Sequence, residues 1–204
     1  MPVLRSSPPS PFGRKIKIAA HVLGLMERIT VEPTDTKDPA DTIRSQNPLG
    51  KIPALVLDDG TVLYDSRVIA EYLDWLAGGG QILPEGEARF PVLRLQALAD
   101  GIMDAGILQI YEARFRPEER RHAEWVAYQA DKVARALATL EADPPARVAP
   151  HSVPDLGQIA LACALGYLDL RFAGAWRADH PKLVAWLDAF EAAVPAFDKT
   201  RPVG

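Results

Sequence analysis

The sequence predicts two unlike parts in one chain: a small α/β domain at the N-terminus and an all-helical domain behind it. Three observations carry this. Strand-like and helix-like segments alternate only within the first 76 residues; Gly78-Gly79-Gly80 interrupts the pattern; and long stretches of helical periodicity, with no convincing strand, follow. The boundaries drawn from them are a first domain over residues 1–77, a linker over 78–89 and a helical domain over 90–204.

Residues 3–5 read as a brief extended start, after which Pro8, Pro9 and Pro11 break the chain. Ile16, Ala19, Ala20 and Leu23 then recur at helical spacing, which predicts a helix over 12–25 ending at Gly24. Residues 29–32 alternate as a second strand, and a polar loop over 33–46 follows, with a short helix near 41–45. Asp58-Asp59-Gly60, set between residues 54–57 and 61–64, predicts a hairpin, because Asp-Gly supplies the positive φ that tight turns require. Residues 66–76 put Val68, Ile69, Tyr72, Leu73 and Leu76 on one side of a helix. Beyond the glycines, helices are predicted over 91–116, 118–142, 154–171 and 181–193, separated by proline-bearing turns. Ser152-Val153-Pro154-Asp155 reads as a helix start in which Ser152 caps and Asp155 closes the box. Behind it, Leu156, Ile159, Ala160, Cys163 and Tyr167 form a stripe suited to a buried central helix.

Composition narrows the function classes. With 48% hydrophobic and 25% charged residues the chain matches ordinary soluble proteins, and 27 acids against 23 bases argue against a nucleic-acid binder. The longest apolar run, residues 159–168, falls short of the ~20 residues a membrane-spanning helix needs, and the N-terminus lacks a signal-peptide core, so a soluble, cytoplasmic protein is expected. The one cysteine, Cys163, argues against a disulfide or a zinc cluster and reads as core packing. His21, His122, His151 and His180 lie far apart without ligand spacing, so no metal is expected. Dinucleotide, Walker, serine-hydrolase and zinc-protease signatures are all missing. Arg114, Arg116, Arg120 and Arg121, interleaved with Glu112, Glu118, Glu119 and Glu124, read as a solvated mixed-charge turn rather than an anion site.

Three segments of the first domain stand out together: Ser10-Pro11-Phe12-Gly13-Arg14-Lys15, then Asn47-Pro48-Leu49-Gly50-Lys51-Ile52-Pro53-Ala54-Leu55, then Asp65-Ser66-Arg67-Val68-Ile69-Ala70-Glu71-Tyr72-Leu73. In this order and spacing, followed by the segment over 152–165, they resemble the cytosolic glutathione transferase family, especially its bacterial serine-type members. The resemblance covers nearly the whole chain. It implies the glutathione transferase fold, a thioredoxin-like α/β N-terminal domain plus an all-α C-terminal domain, with glutathione as co-substrate, a small electrophile as second substrate and a homodimer as the assembly.

The resemblance also implies a site. Ser66 opens a helix, so its hydroxyl and N–H, with the positive end of the helix dipole, suit a carboxylate, while Asp65 suits an ammonium; together they match the γ-glutamyl end of glutathione. A plain helix cap is the alternative for this pair. The Ile52-Pro53 bond is expected to be cis, with Ile52 offering N–H and C=O to the cysteinyl unit and Lys51 beside the glycyl carboxylate. Otherwise proline merely starts a strand and Lys51 is solvated. Ser10 falls where serine-type members carry the catalytic serine, yet Ser-Pro is also an ideal helix cap, and Ser6 and Ser7 are rivals. Phe12 is expected at the glutathione site and, with residues 7–12, at the second pocket beside Met103, Ile107, Tyr111 and Phe115, four residues that helix spacing assigns equally well to the core. An acid on the helix after Pro91, Asp104 first and Asp100 second, is expected to reach the partner's γ-glutamyl ammonium, the alternative being that both are plain solvent-facing helix acids. Two other functions stay open: glutathione-dependent isomerisation of the maleylacetoacetate type, whose cysteine is missing after Ser10, and a non-catalytic glutathione-binding or dimerisation module.

Overall fold

The computed structural model describes residues 1–149 and 152–202; His151 lies outside the described residues. The chain folds as β1 (Val3–Ser6), α1 (Pro11–Val22), β2 (Thr30–Pro33), α2 (Ile43–Gln46), β3 (Ala54–Val56), β4 (Val62–Leu63) and α3 (Ser66–Leu76). It continues as α4 (Arg89–Phe115), α5 (Ala123–Ala142), α6 (Leu156–Phe172), α7 (Pro181–Ala193) and α8 (Pro195–Lys199). The four strands form one mixed sheet in the order β2-β1-β3-β4, with β1 and β2 parallel and the other pairs antiparallel. Gly60 takes φ +86° in the turn between β3 and β4, the conformation for which Asp-Gly was read.

One face of the sheet packs on α1 and α3 through fully buried Leu4, Ile16, Leu55, Ile69 and Leu73. In the helical part, α6 is buried all round over Leu156, Ile159, Leu161, Ala162 and Leu165 and lies along α4. Gly157 permits that approach: a Cβ there would stand 2.9 Å from both the Leu95 Cβ and the Val92 carbonyl oxygen. Cys163 sits inside this core, and burial pushes its thiol up to about 11, which keeps it protonated.

Two domains of different architecture are joined by charge as well as by apolar packing. Lys15 on α1 is fully buried and meets Asp100 on α4 at 2.7 Å; the other Asp100 oxygen accepts from Arg67 Nε on α3 at 3.0 Å. Arg14, also buried, donates to the Phe197 carbonyl at 2.6 Å and lies 3.9 Å over the Phe197 ring, which docks α8 on α1. That last short helix has no counterpart in the elements predicted from sequence.

Several boundaries differ from the sequence reading for local reasons. The box at the start of α6 uses Asp155 and Gln158, not Ser152 and Asp155: Asp155 accepts from Gln158 N–H at 2.8 Å and Gln158 Oε1 accepts from Asp155 N–H at 3.0 Å. α5 begins at Ala123 rather than 118, because residues Glu118–Arg120 form a short 3-10 turn and His122 Nδ1 caps Trp125 N–H. Among the described residues no helix is long and apolar enough to cross a membrane.

Candidate functional site

The strand register gathers the predicted residues at one end of the sheet. Arg5 pairs with Ala54 in antiparallel β1 and β3, so continuing the register brings Pro53 and Ile52 beside Ser6 and Ser7, which lead to Ser10. Leu55 pairs with Leu63, so the end of β4 carries Asp65 back alongside Pro53. The Ile52-Pro53 peptide is cis, as the resemblance implies, and the Tyr64-Asp65 peptide is cis as well.

Each segment presents unused polar groups there. Ser10 caps α1, its Oγ accepting from Gly13 N–H at 3.1 Å, which leaves the hydroxyl proton to donate outward. Pro11 has no N–H, and the N–H of half-buried Phe12 has no partner among the described residues. Ser6 differs: its Oγ is closed off from solvent without a hydrogen-bond partner, and a Cβ on Gly13 would fall 2.1 Å from it. A reacting thiol has no access to Ser6. The Ser7 carbonyl accepts from Ser10 N–H and closes the turn.

Asp65, not Ser66, is the residue that caps α3, its Oδ1 accepting from Arg67 N–H at 2.9 Å. That leaves the N–H and hydroxyl of Ser66, a buried residue, without partners among the described residues at the positive end of an 11-residue helix. The Ile52 N–H and C=O are likewise free among the described residues, while Lys51 is exposed next to it. Asn47 fixes that loop: its amide donates to the Lys51 carbonyl at 2.8 Å and accepts from Leu49 N–H at 3.0 Å. Arg5, buried in β1, anchors the loop ahead of it through Thr34, Thr42, Gln46 and Asp41 at 2.8–2.9 Å. Backbone N–H of Ile43, above all, holds the Asp41 carboxyl below its usual range.

The two acids on α4 divide. Asp100 is buried and committed to Lys15 and Arg67, which corrects its reading as an outward-facing alternative to Asp104. Asp104, one turn on, is exposed and within the field of Arg67, Lys51 and Asp65; partial desolvation, with Asp100 nearby, pushes its carboxyl up. Of the residues expected around a second pocket, Met103 is fully buried core, whereas Tyr111 and Phe115 lie open with their rings edge to face at 5.1 Å. Sequence reasoning missed Arg67: the bond from its Nε to Asp100, above all, raises the guanidinium above its usual value, with Asp65 and Asp104 adding to the negative field around it. Its signal was present in Asp65-Ser66-Arg67, but its partner lies 33 residues away.

A cavity of about 420 Å³ lies elsewhere, between the end of α4 and the start of α5, lined by Glu112, Arg116, His122, Glu124, Trp125 and Tyr128. None of the gathered residues lines it. Among the described residues no group of three or more His, Cys, Asp or Glu is placed to hold a metal.

Comparison with known proteins bears on the family and the fold. The glutathione S-transferase N-terminal domain family matches residues 9–76 and the glutathione S-transferase C-terminal domain family matches residues 109–189. YibF of Escherichia coli, an uncharacterized GST-like protein, is 35% identical over 177 residues, 86% of each chain. A glutathione transferase family member from Pseudomonas fluorescens, crystallised with bound glutathione, is 42% identical with a TM-score of 0.88 over 100% of both chains. A further structure from that organism, with bound S-(propanoic acid)-glutathione, is 45% identical with a TM-score of 0.86, again over 100% of both chains.

Proposed function

Since this chain belongs to the glutathione S-transferase family, we propose that it binds glutathione across the end of its sheet and activates the thiol for attack on a small electrophile. The observation that carries this reading is the convergence of unpartnered polar groups, from Ser10 and Phe12, from Ile52 and from Ser66, on one end of one small sheet. Their order suits an extended tripeptide. Ser66 takes the γ-glutamyl carboxylate, and the Asp65 oxygen not used in capping takes its ammonium. Ile52, ahead of Pro53, pairs with the cysteinyl backbone as an added strand would, and Lys51 takes the glycyl carboxylate. Ser10 donates its free hydroxyl proton to the thiolate, with the Phe12 N–H as second donor. No metal enters the scheme.

The division into residues 1–77, 78–89 and 90–204 is part of this proposal, with glutathione held by the first part and the electrophile against the last. So is a cytoplasmic homodimer. Val68 and Trp75 on α3 and Phe90 on α4 lie exposed around the Arg89–Glu71 ion pair, an apolar surface suited to a second copy. Asp104, open beside it, then faces the partner's γ-glutamyl ammonium. Sedimentation at micromolar concentration is expected to give twice the 22.3 kDa of the chain; a monomer contradicts the cross-subunit role of Asp104.

Titrating glutathione and then assaying conjugation over a panel of electrophiles tests the function itself. Binding with turnover is expected. Binding without turnover on any of them turns the reading into a non-catalytic module, and turnover confined to cis-trans isomerisation turns it into an isomerase. The P. fluorescens complex with S-(propanoic acid)-glutathione supports a thioether of glutathione at the same place here.

A further inference from the structure

The relative directions of the helices around Ser10 show which end of α6 lies beside it. On α4 and α6, Asp100 lies in the field of Cys163, and a Cβ on Gly106 would stand 3.3 Å from the Tyr167 ring, so the two run side by side in the same sense. α1 runs against them: Arg14 lies at Gly166, where a Cβ would fall 2.6 Å from its guanidinium, while Lys17 is felt at Cys163. Ser10, one turn before Arg14, therefore points to the end of α6 that holds Tyr167 and Arg171.

At that end two arginines lie on two tyrosines. Arg171 is 5.9 Å over the Tyr167 ring and Arg114 is 5.8 Å over the Tyr111 ring. Gly106, five residues before Tyr111 on α4, comes against the Tyr167 ring, so the two pairs lie at one end of the two helices; both arginines accordingly pull down the Tyr167 phenol that burial pushes up. Other arginines nearby have carboxylate partners, Arg116 with Glu112 and Arg177 with Asp169; Arg114 and Arg171 have none among the described residues. Arg171 Nε is moreover shut off from solvent with no acceptor, which is rare for a buried donor in a folded protein. Within the mixed-charge turn read from sequence, Arg116 and Arg121 form bonds, while exposed Arg114 forms none among the described residues.

We propose that Arg171 and Arg114, each set over a tyrosine ring of its own helix, bind the carboxylate of a conjugated, α,β-unsaturated acid that is the electrophile. This rests on the glutathione reading above. Guanidinium groups take a carboxylate through paired N–H bonds, and the exposed Tyr111 ring offers apolar surface to a flat conjugated chain, while Tyr167 is buried beneath Arg171. The reaction also needs them. A thiolate adds poorly to an enoate because a second negative charge develops on an anion; two guanidinium ions stabilise that charge where it forms. The thiol proton leaves to solvent, the sulfur pair bonds to the β-carbon, the C=C pair moves toward the carboxylate, and the α-carbon takes a proton from solvent. Nothing departs and no oxidant is needed.

Two products that differ only in charge test this: S-(2-carboxyethyl)glutathione and its carboxamide, S-(2-carbamoylethyl)glutathione, titrated beside glutathione itself. The protein is expected to prefer the carboxylate by about tenfold or more, the scale of one charge-assisted bond. Arg171→Gln is expected to erase the preference, Arg114→Gln to reduce it and Arg171→Lys to keep part of it, all with glutathione affinity unchanged. Equal affinity for the two products, or an equal loss for both in Arg171→Gln with the preference intact in Arg114→Gln, overturns the assignment while leaving the glutathione site standing. Failure to bind glutathione overturns the functional reading, and the proposal with it.

Discussion

Replacing Lys15 by methionine is expected to destabilise the folded protein by about 3 kcal/mol, the low end of the ~3–5 kcal/mol that follows when one partner of a buried ion pair is removed. The ammonium is fully buried and its Asp100 partner 1% exposed, so the substitution leaves a carboxylate out of reach of water. Arg67, on the other carboxylate oxygen, compensates in part and sets the low end. In a chain of this length the loss corresponds to a fall of roughly 6–12 °C in Tm. Because Lys15 and Asp100 belong to different domains, the variant also weakens their joint. Lys15→Met combined with Asp100→Leu removes the stranded charge and is expected to recover most of the loss. Denaturant unfolding checks both; a loss under about 1 kcal/mol in the single variant contradicts the ion pair.

Ser66→Ala is expected to lower glutathione affinity about tenfold or more, since a hydrogen bond to a charged group contributes roughly 1.5–3 kcal/mol. Stability is expected to change little. Asp65, not Ser66, caps α3, and the Ser66 hydroxyl bonds no described residue. Calorimetric titration beside a melting curve separates the two effects. A variant that melts early yet binds glutathione normally makes Ser66 a packing residue and removes the γ-glutamyl clamp.

Local signals carried much of the fold. α3 spans residues 66–76 as read, because an acid-serine start and an unbroken apolar stripe coincide there. The start of α6 was ambiguous, since Ser152…Asp155 and Asp155…Gln158 both have capping-box spacing. The decision came from tertiary contact: Leu156 N–H donates to the Ile82 carbonyl at 2.8 Å, which ties the helix start to the linker, with Asp155 extended ahead of it. A histidine cap at His122 is rare enough that nothing in the sequence points to it. The site was legible where it is local, in Ser10-Pro11, Ile52-Pro53 and Asp65-Ser66. The candidate site was illegible where charges meet across domains: no local pattern separates Asp100, buried against Lys15 from 85 residues away, from Asp104, exposed one turn later. Arg116, by contrast, follows Glu112 by four residues on α4, an ion-pair spacing visible in the sequence that Arg114 lacks.

The central claim is that Ser10, as the free donor at the head of α1, stabilises the bound thiolate. A free thiol ionises near ~8.5, and a hydroxyl donor with a helix N-terminus is expected to lower that by about one or two pH units in the complex. Ultraviolet absorbance of bound glutathione thiolate, followed against pH in the protein and in Ser10→Ala, measures this directly. A donor bonds thiolate better than thiol, so its loss raises the thiol pKa; the thiolate band of Ser10→Ala is expected to appear about one unit higher in pH, with conjugation rate at neutral pH reduced, recovering as pH rises, and glutathione affinity nearly intact. Superimposable titrations of the two proteins contradict the claim and leave Ser10 as the cap of α1 alone.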